Sequence, residues 1–319
     1  MSQNQKNWAI FSTADDRYII PSIVALTSIR RFHPEAHYCI LANESKIRAE
    51  KKILMDRFQI ELVSCAGERI RDGGPWPSEA FLKLEAPEIL FRRGFPFSLG
   101  VDGDTFCRQG LELEKVACGL IGYAGIKRPG QLRSNFTDPA VVRRIYGLSD
   151  AMMNASNTNT GVVFWNNAYV AETGFFAHCI RCYEECSREN SRLFVAADQS
   201  LFALASVLDQ PLPWKVLELG YNYLCHVPEV VDLGTPRETV RVVHFSRKPW
   251  QSMSLSACRK NPLLGAYRPE WKAWVRELGC FDPDLRWRGF RSTRFARSVR
   301  FKMSQLRERV IQRLQSHSP

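Results

Sequence analysis

The most constraining feature of the chain is a regular alternation of short apolar runs and longer amphipathic stretches across its first third. Trp8 to Ser12 is an apolar run that gives way to Asp15 and Asp16, and the amphipathic stretch Ile19 to Phe32 follows, stopped before Pro34. Pro21 falls in the first turn of that expected helix, where its missing N–H would have no partner anyway. His37 to Leu41 reads as a second strand, Ile47 to Phe58 as a second helix and Ile60 to Val63 as a third strand. A polar loop from Gly67 to Pro77 leads to Ser78, an expected N-cap for a helix carrying Phe81, Leu84 and Leu90, and Phe97 to Val101 is a fourth strand. This order argues for a largely parallel, Rossmann-like sheet. With 319 residues, 45% of them hydrophobic, the chain can bury the core that such a domain needs.

The second half is less regular. Gly161 to Trp165 is a buried-looking strand, Tyr169 to Glu185 and Asp198 to Leu208 read as helices, and Val240 to Phe245 as a strand. A helix is expected around Glu270 to Leu278. Cys179, Cys182 and Cys186 fall on one side of a helix among Phe175, Phe176 and Ile180, a pattern that favours packing over a thiol-held metal or a redox centre. The ten cysteines are scattered, with no secretory signal at the polar Met1 to Lys6 start, so reduced thiols and a cytosolic enzyme are expected.

Several residues could carry chemistry. Asp102 and Asp104 follow the fourth strand with Gly103 between them, where two carboxylates on one side of an extended segment repel unless a cation joins them. In parallel α/β sheets ligands collect beyond the carboxyl ends of the strands, and hard oxygens there suit Mg²⁺ or Mn²⁺ on a diphosphate. A surface Asp-Gly turn is the competing reading. Asp198 and Gln199 open a helix, either as N-cap and neighbour or as site residues. Asn159, Thr160 and Gly161 read as the turn into the strand Gly161 to Trp165. Lys83 interrupts an apolar helix face, so it either snorkels or binds an anion. His244 ends a strand just before Lys248, Pro249 and Trp250.

Taken in order, Thr13-Ala14-Asp15-Asp16-Arg17-Tyr18, Phe81-Leu82-Lys83-Leu84, Asp102-Gly103-Asp104, Asn159-Thr160-Gly161, Asp198-Gln199, and His244 with Lys248-Pro249-Trp250 resemble the signature of family 8 retaining glycosyltransferases. The family includes bacterial lipopolysaccharide galactosyl- and glucosyltransferases and glycogenin. The resemblance implies an α/β fold of the GT-A type, a Rossmann-like mixed sheet with helices on both faces. It implies a UDP-sugar donor, a hexose transferred to a saccharide acceptor, and Mn²⁺ or Mg²⁺ held by Asp102, Asp104 and His244. Thr13, Ala14, Asp15 and Tyr18 match positions around the uracil and ribose, and Asp102 would also touch the ribose. Gly103 lies between the aspartates, Lys83 and Lys248 match cations near the diphosphate, and Asn159, Asp198 and Gln199 match residues around the donor sugar and its anomeric carbon. Two departures stand out. Only Phe245, Ser246 and Arg247 separate His244 from Lys248, a shorter link than the family usually has, and Gly103 stands where a small or aliphatic residue is typical.

The net charge of +11 is concentrated at the end of the chain. From Asp284 onward nine Arg and one Lys stand against Asp284 and Glu308, a net +8. With Trp287, Phe290, Phe295 and Phe301 interspersed, this basic, helical tail has the composition of a segment drawn to an anionic membrane surface, where a lipid-linked acceptor such as lipopolysaccharide core would be met. The expected organisation is a catalytic domain over 1–250, a helical extension over 251–283 and the basic tail over 284–319, on a cytoplasmic enzyme peripheral to the inner membrane face. A nucleic-acid-binding protein using the Arg-rich tail is the alternative; it leaves the six ordered motifs unexplained, and the near-neutral body offers no broad basic face.

Overall fold

The computed structural model describes residues 7–65, 78–128, 130–208, 213–225, 237–245 and 262–279. Among these residues ten strands run in chain order: β1 (Trp8–Thr13), β2 (His37–Ala42), β3 (Glu61–Ser64), β4 (Phe97–Val101), β5 (Thr105–Cys107), β6 (Tyr123–Arg128), β7 (Asn157–Asn166), β8 (Trp214–Val216), β9 (Tyr223–Leu224) and β10 (Val242–His244). The helices that matter here are α1 (Ile19–Arg30), α2 (Ala49–Arg57), α3 (Leu82–Arg92), α4 (Leu113–Ala117), α5 (Pro139–Tyr146), α6 (Asp150–Met153), α7 (Asn167–Glu172), α8 (Phe175–Glu189), α9 (Ala197–Ala205) and α10 (Pro262–Leu278).

Seven strands form one sheet in the order β3-β2-β1-β4-β7-β6-β8, and β5-β10-β9 form a second, small sheet. The first four strands of the large sheet are parallel, as the alternating pattern requires, but β7 runs antiparallel to both β4 and β6. Six of the seven strands therefore point the same way, as expected, and β7 alone is reversed, which makes the sheet mixed. β7 follows β6 through α5 and α6 and still pairs antiparallel with it, so the parallel crossover of the first half is not repeated here.

Both faces of the sheet are covered. Along β1, Trp8 and Ile10 face a cluster with Ile19, Ile23 and Leu26 of α1, while Ala9 and Phe11 face the opposite cluster with Leu84 of α3 and Phe202 of α9. This two-sided burial explains why the early strands are continuous apolar runs. Cys179, Cys182 and Cys186 all lie buried in the α3 cluster, and the cysteines among the described residues are free. Burial pushes the Cys182 thiol up to about 12, as a packed apolar side chain requires.

Four local expectations are revised. The strand carrying Asn159, Thr160 and Gly161 begins already at Asn157, so these residues lie inside β7. The helix expected over Tyr169 to Glu185 is two helices, broken at Gly174, whose φ of 63° is left-handed. Ser78 opens a 3₁₀ turn (Ser78–Phe81), and α3 proper starts at Leu82 without a side-chain cap. Finally, α10 starts at Pro262, well before Glu270. It docks through buried Trp271 and Val275, with Glu270 Oε2 2.6 Å from Arg108 Nε. No helix among the described residues is long and apolar enough to cross a membrane.

Candidate active site

The site forms where the large sheet hands over to the small one. β4 ends at Val101, the chain turns through Asp102-Gly103-Asp104, and β5 begins at Thr105. Three bonds fix this turn. The Asp102 N–H donates to the Gly161 carbonyl at 2.8 Å, the Thr105 hydroxyl donates to the Asp102 carbonyl at 2.7 Å, and the Phe245 N–H donates to the Asp104 carbonyl at 3.0 Å. Because β10 pairs antiparallel with β5, His244 stands opposite Thr105 and is carried back to the aspartates. Its Nε2 lies 3.3 Å from Asp104 Oδ1 and 3.6 Å from Asp102 Oδ2. One ligand atom from each of the three residues falls within 4.8 Å of the others, and this is the only cluster of metal-ligating type among the described residues.

Electrostatics bind the cluster tightly. Burial opposes charge on His244, but the neighbouring Asp104 and Asp102 carboxylates outweigh it and raise its pKa. Burial likewise opposes charge on Asp104, and His244 more than offsets it, so the Asp104 carboxyl is held below its usual range. Asp102 moves the other way: burial, reinforced by Asp104 and Asp198, raises it despite Lys83 and His244. Two oxygen donors and one imidazole nitrogen, gathered on one side of a turn, suit a divalent cation such as Mn²⁺ or Mg²⁺.

Lys83 does not snorkel. It is buried on α3, its ammonium bonded to Asp102 and, at 3.1 Å, to the Thr160 carbonyl, with Asp198 Oδ2 at 3.5 Å. Burial alone would lower its pKa; Asp102 and Asp198 outweigh burial and raise it. Asp198 sits in the first turn of α9 but is not its cap. That position is Ala196, whose N–H is taken by the Ser200 hydroxyl at 2.9 Å, leaving Asp198 to face Lys83. Gln199, buried beside it, accepts from Asn159 Nδ2 at 2.9 Å.

The remaining residues frame the turn. Thr13 closes β1, Ala14 is buried, and Asp15 caps a 3₁₀ turn (Asp16–Tyr18) by accepting from the Arg17 and Tyr18 N–H groups. Burial and then Asp104 push the Tyr18 phenol pKa up, so Tyr18 links this corner to the aspartates electrostatically. Gly103 lies against the first turn of α1: a β-carbon there would meet Ser22 Oγ at 3.1 Å and Pro21 Cβ at 3.3 Å. Gly161 is needed more strictly, since a β-carbon on it would collide with the His244 imidazole. Lys248, with Arg247 and the rest of the short link after Phe245, lies outside the described residues, as does the basic tail.

One member of the site was not visible in the sequence. Asn222, almost fully buried at the end of a 3₁₀ turn (Leu219–Asn222), donates from Nδ2 to Asn159 Oδ1 at 2.8 Å. Its Oδ1 lies 3.0 Å from His244 Nδ1. The only signal was an amide set between two aromatic residues, Tyr221 and Tyr223, in a segment too short to show periodicity.

The fold and this turn define a class: the chain has the GT-A fold of the glycosyltransferases, and the resemblance read from its motifs is matched at the level of fold. WbbM, a bifunctional glycosyltransferase solved in apo form, superposes with a TM-score of 0.60 at 16% identity over 84% of this chain and 49% of its own. The galactosyltransferase LgtC, in complex with donor and acceptor sugar analogues, gives 0.54 at 16% identity over 81% of this chain and 95% of its own. GlyE of Streptococcus pneumoniae TIGR4 gives 0.51 at 18% identity, covering 85% of this chain and 62% of its own. The chain thus spans about half the length of WbbM and most of LgtC. No protein-family model and no curated protein matches the sequence itself.

Proposed function

We propose that the chain is a metal-dependent retaining glycosyltransferase of family 8, moving a hexose from a UDP-sugar to a saccharide acceptor. The observation that carries this reading is the convergence of Asp102, Asp104 and His244 at the carboxyl end of β4, within a fold shared with glycosyltransferases. In this reading the three residues hold Mn²⁺ or Mg²⁺, which when bound offsets charge on the donor diphosphate as a Lewis acid. Lys83, with Lys248 from the segment after Phe245, supplies further positive charge to the leaving diphosphate. Thr13, Ala14, Asp15 and Tyr18 cradle the uridine, with Asp102 on the ribose. Asn159, Asp198 and Gln199 hold the donor sugar and align its anomeric carbon with the acceptor hydroxyl.

Retention needs either a covalent glycosyl-enzyme or attack from the face the leaving group departs. Gln199 is an amide and a poor nucleophile, and Asp198 lies in an ion pair with Lys83 at 3.5 Å. We favour front-face attack. The acceptor is proposed to be lipid-linked, with residues 284–319 bringing a cytoplasmic enzyme to the inner membrane face. In this scheme residues 1–250 carry catalysis, and 251–283 extend the domain.

The test is incubation of the purified chain with a panel of nucleotide sugars and Mn²⁺, with detection of released nucleotide. Turnover of a UDP-hexose is expected; neither turnover nor binding of any uridine donor would sink the proposal. Binding to anionic but not neutral vesicles would support the role of the tail, and binding to neither would remove it.

A further inference from the structure

We infer that Asn222 is a positioning residue that fixes the tautomer of His244, and that a single backbone N–H dictates its orientation. The inference rests on the proposed role of His244 as a metal ligand. It starts from an atom whose polarity is not in question. The Gly161 N–H can only donate, and it points at the Asn159 side chain at 2.9 Å, so the atom it meets must be the oxygen, Oδ1. The same oxygen lies 2.8 Å from Asn222, which must therefore present its NH₂ there. With Nδ2 spent on Asn159, Asn222 has only its oxygen to offer His244, and that oxygen meets Nδ1 at 3.0 Å. An acceptor at Nδ1 requires the ring hydrogen on Nδ1. Nε2 then faces Asp102 and Asp104, and it is the nitrogen whose lone pair a metal would take in place of the proton that the two carboxylates favour.

Every amide orientation in this relay follows from the one before it, and none is assigned by eye. Reversing Asn222 would put two oxygens face to face at Asn159. Reversing Asn159 as well would aim its NH₂ at the Gly161 N–H. The relay also has a second end: Asn159 Nδ2 donates to Gln199 Oε1 at 2.9 Å, beside Asp198. The residues proposed to hold the donor sugar and the imidazole proposed to hold the metal are thus members of one buried hydrogen-bond chain. The irregular register between β6 and β7 is consistent with it. Pairing slips between Gly125 and Lys127, opposite the stretch where Asn159 folds its side chain back onto the backbone of its own strand.

Two variants and one spectrum test this. In wild-type protein, ¹⁵N NMR of the His244 ring should show Nδ1 protonated both Mg²⁺-loaded and metal-free, with Nε2 bare in the Mg²⁺-loaded state. Asn222→Leu, which cannot accept from Nδ1, should bind Mn²⁺ about 10- to 100-fold more weakly, the usual cost of losing the partner that orients a ligating His. Asn222→Asp keeps an acceptor for Nδ1 but cannot donate to Asn159 Oδ1 as a carboxylate. It should retain Mn²⁺ affinity close to wild type while raising the donor KM, a split that a merely structural residue would not produce. A neutral wild-type ring protonated on Nε2 overturns the inference, as does Mn²⁺ affinity unchanged in Asn222→Leu. If Asn222→Leu does not fold, the wild-type spectrum and the Asn222→Asp split decide. Wild-type protein that binds no Mn²⁺ with UDP present overturns the metal reading of the site instead, and the ring spectrum still decides the tautomer.

Discussion

Two lysines among the described residues are almost fully buried, and they sit in opposite electrostatic settings. Lys51, on α2, is 3% exposed and meets one carboxylate, Asp16, through Oδ2 at 2.7 Å, together with the Asp16 carbonyl; Arg48 Nε meets the same oxygen at 3.0 Å and its N–H donates to Oδ1. Cations match or exceed anions there, and the effect is to pin α2 to the turn that opens α1. Lys83, 4% exposed, faces Asp102 and Asp198, with Asp104 just beyond and, among the described residues, only His244 to share the three carboxylates. The first cluster is complete as it stands. Among the described residues the second gathers more partly buried negative charge than its cations offset, and a structure tolerates that where another cation is meant to arrive. A buried lysine is thus no marker of function; the charge balance around it is.

The sharpest way to break this contrast is at Asp104. Asp104→Ala is expected to reduce sugar transfer by at least ~10³-fold, comparable to removing a main electrostatic group from an active site. The fold should be retained, because the main-chain bond from the Phe245 N–H to Asp104 survives. Steady-state assays alongside circular dichroism check this, and retained metal-dependent activity would refute the assignment. The two lysines then separate by a paired substitution. Lys51→Met should cost about 0.5–1.5 kcal/mol of stability, the usual net worth of one hydrogen bond, because Arg48 still holds Asp16, and leave catalysis intact. Lys83→Met should impair transfer strongly, and Mn²⁺ should raise its melting temperature more than it raises that of wild type. At a hundredfold excess over Kd, a bound ion adds about 2.7 kcal/mol, enough to read in a thermal melt. Equal behaviour of the two variants would dissolve the comparison.

The two clusters also differ in how much of them the sequence disclosed. Asp102 and Asp104 were legible because a strand end followed by paired carboxylates is a local pattern, and local patterns survive in a linear reading. His244 was found by resemblance to family 8, not by distance along the chain. The geometry that brings it in, an antiparallel pairing of β10 with β5, is non-local and leaves no periodic trace. The first half of the sheet was legible for the same reason as the aspartates: parallel strands buried on both faces announce themselves as apolar runs. The antiparallel course of β7 was not, because an apolar run does not encode direction. Asn222 was hidden because its role depends on a chain of four side chains from four separate segments, none of which a spacing rule connects.

Gly161 tests the catalytic half of the comparison from the backbone. A methyl group there must displace the His244 ring, so Gly161→Ala should weaken Mn²⁺ binding by about 10- to 100-fold while perturbing stability little beyond the local strand. Titration of the variant with Mn²⁺ checks this. Unchanged affinity would mean that the ring can move without loss, and that its placement over Gly161 does not matter.

The smallest expected effect lies in the structural cluster and is read by pH. Burial tends to raise the Asp16 pKa, but Lys51 and Arg48 outweigh it, so the folded value lies below the ordinary 3.8. A carboxyl whose folded pKa is depressed contributes stability that is fully present above its unfolded pKa and lost as pH falls through the folded value. Asp16→Asn removes that contribution. Wild type should therefore exceed Asp16→Asn in stability near neutrality, and the gap should close only once the pH falls below about 3.8, where the unfolded carboxyl begins to take up its proton. Urea unfolding of both proteins across that window measures it. A gap that closes at a higher pH would show that Lys51 is not held by Asp16 in the way the 2.7 Å contact implies, and that both buried lysines answer to the same unbalanced charge.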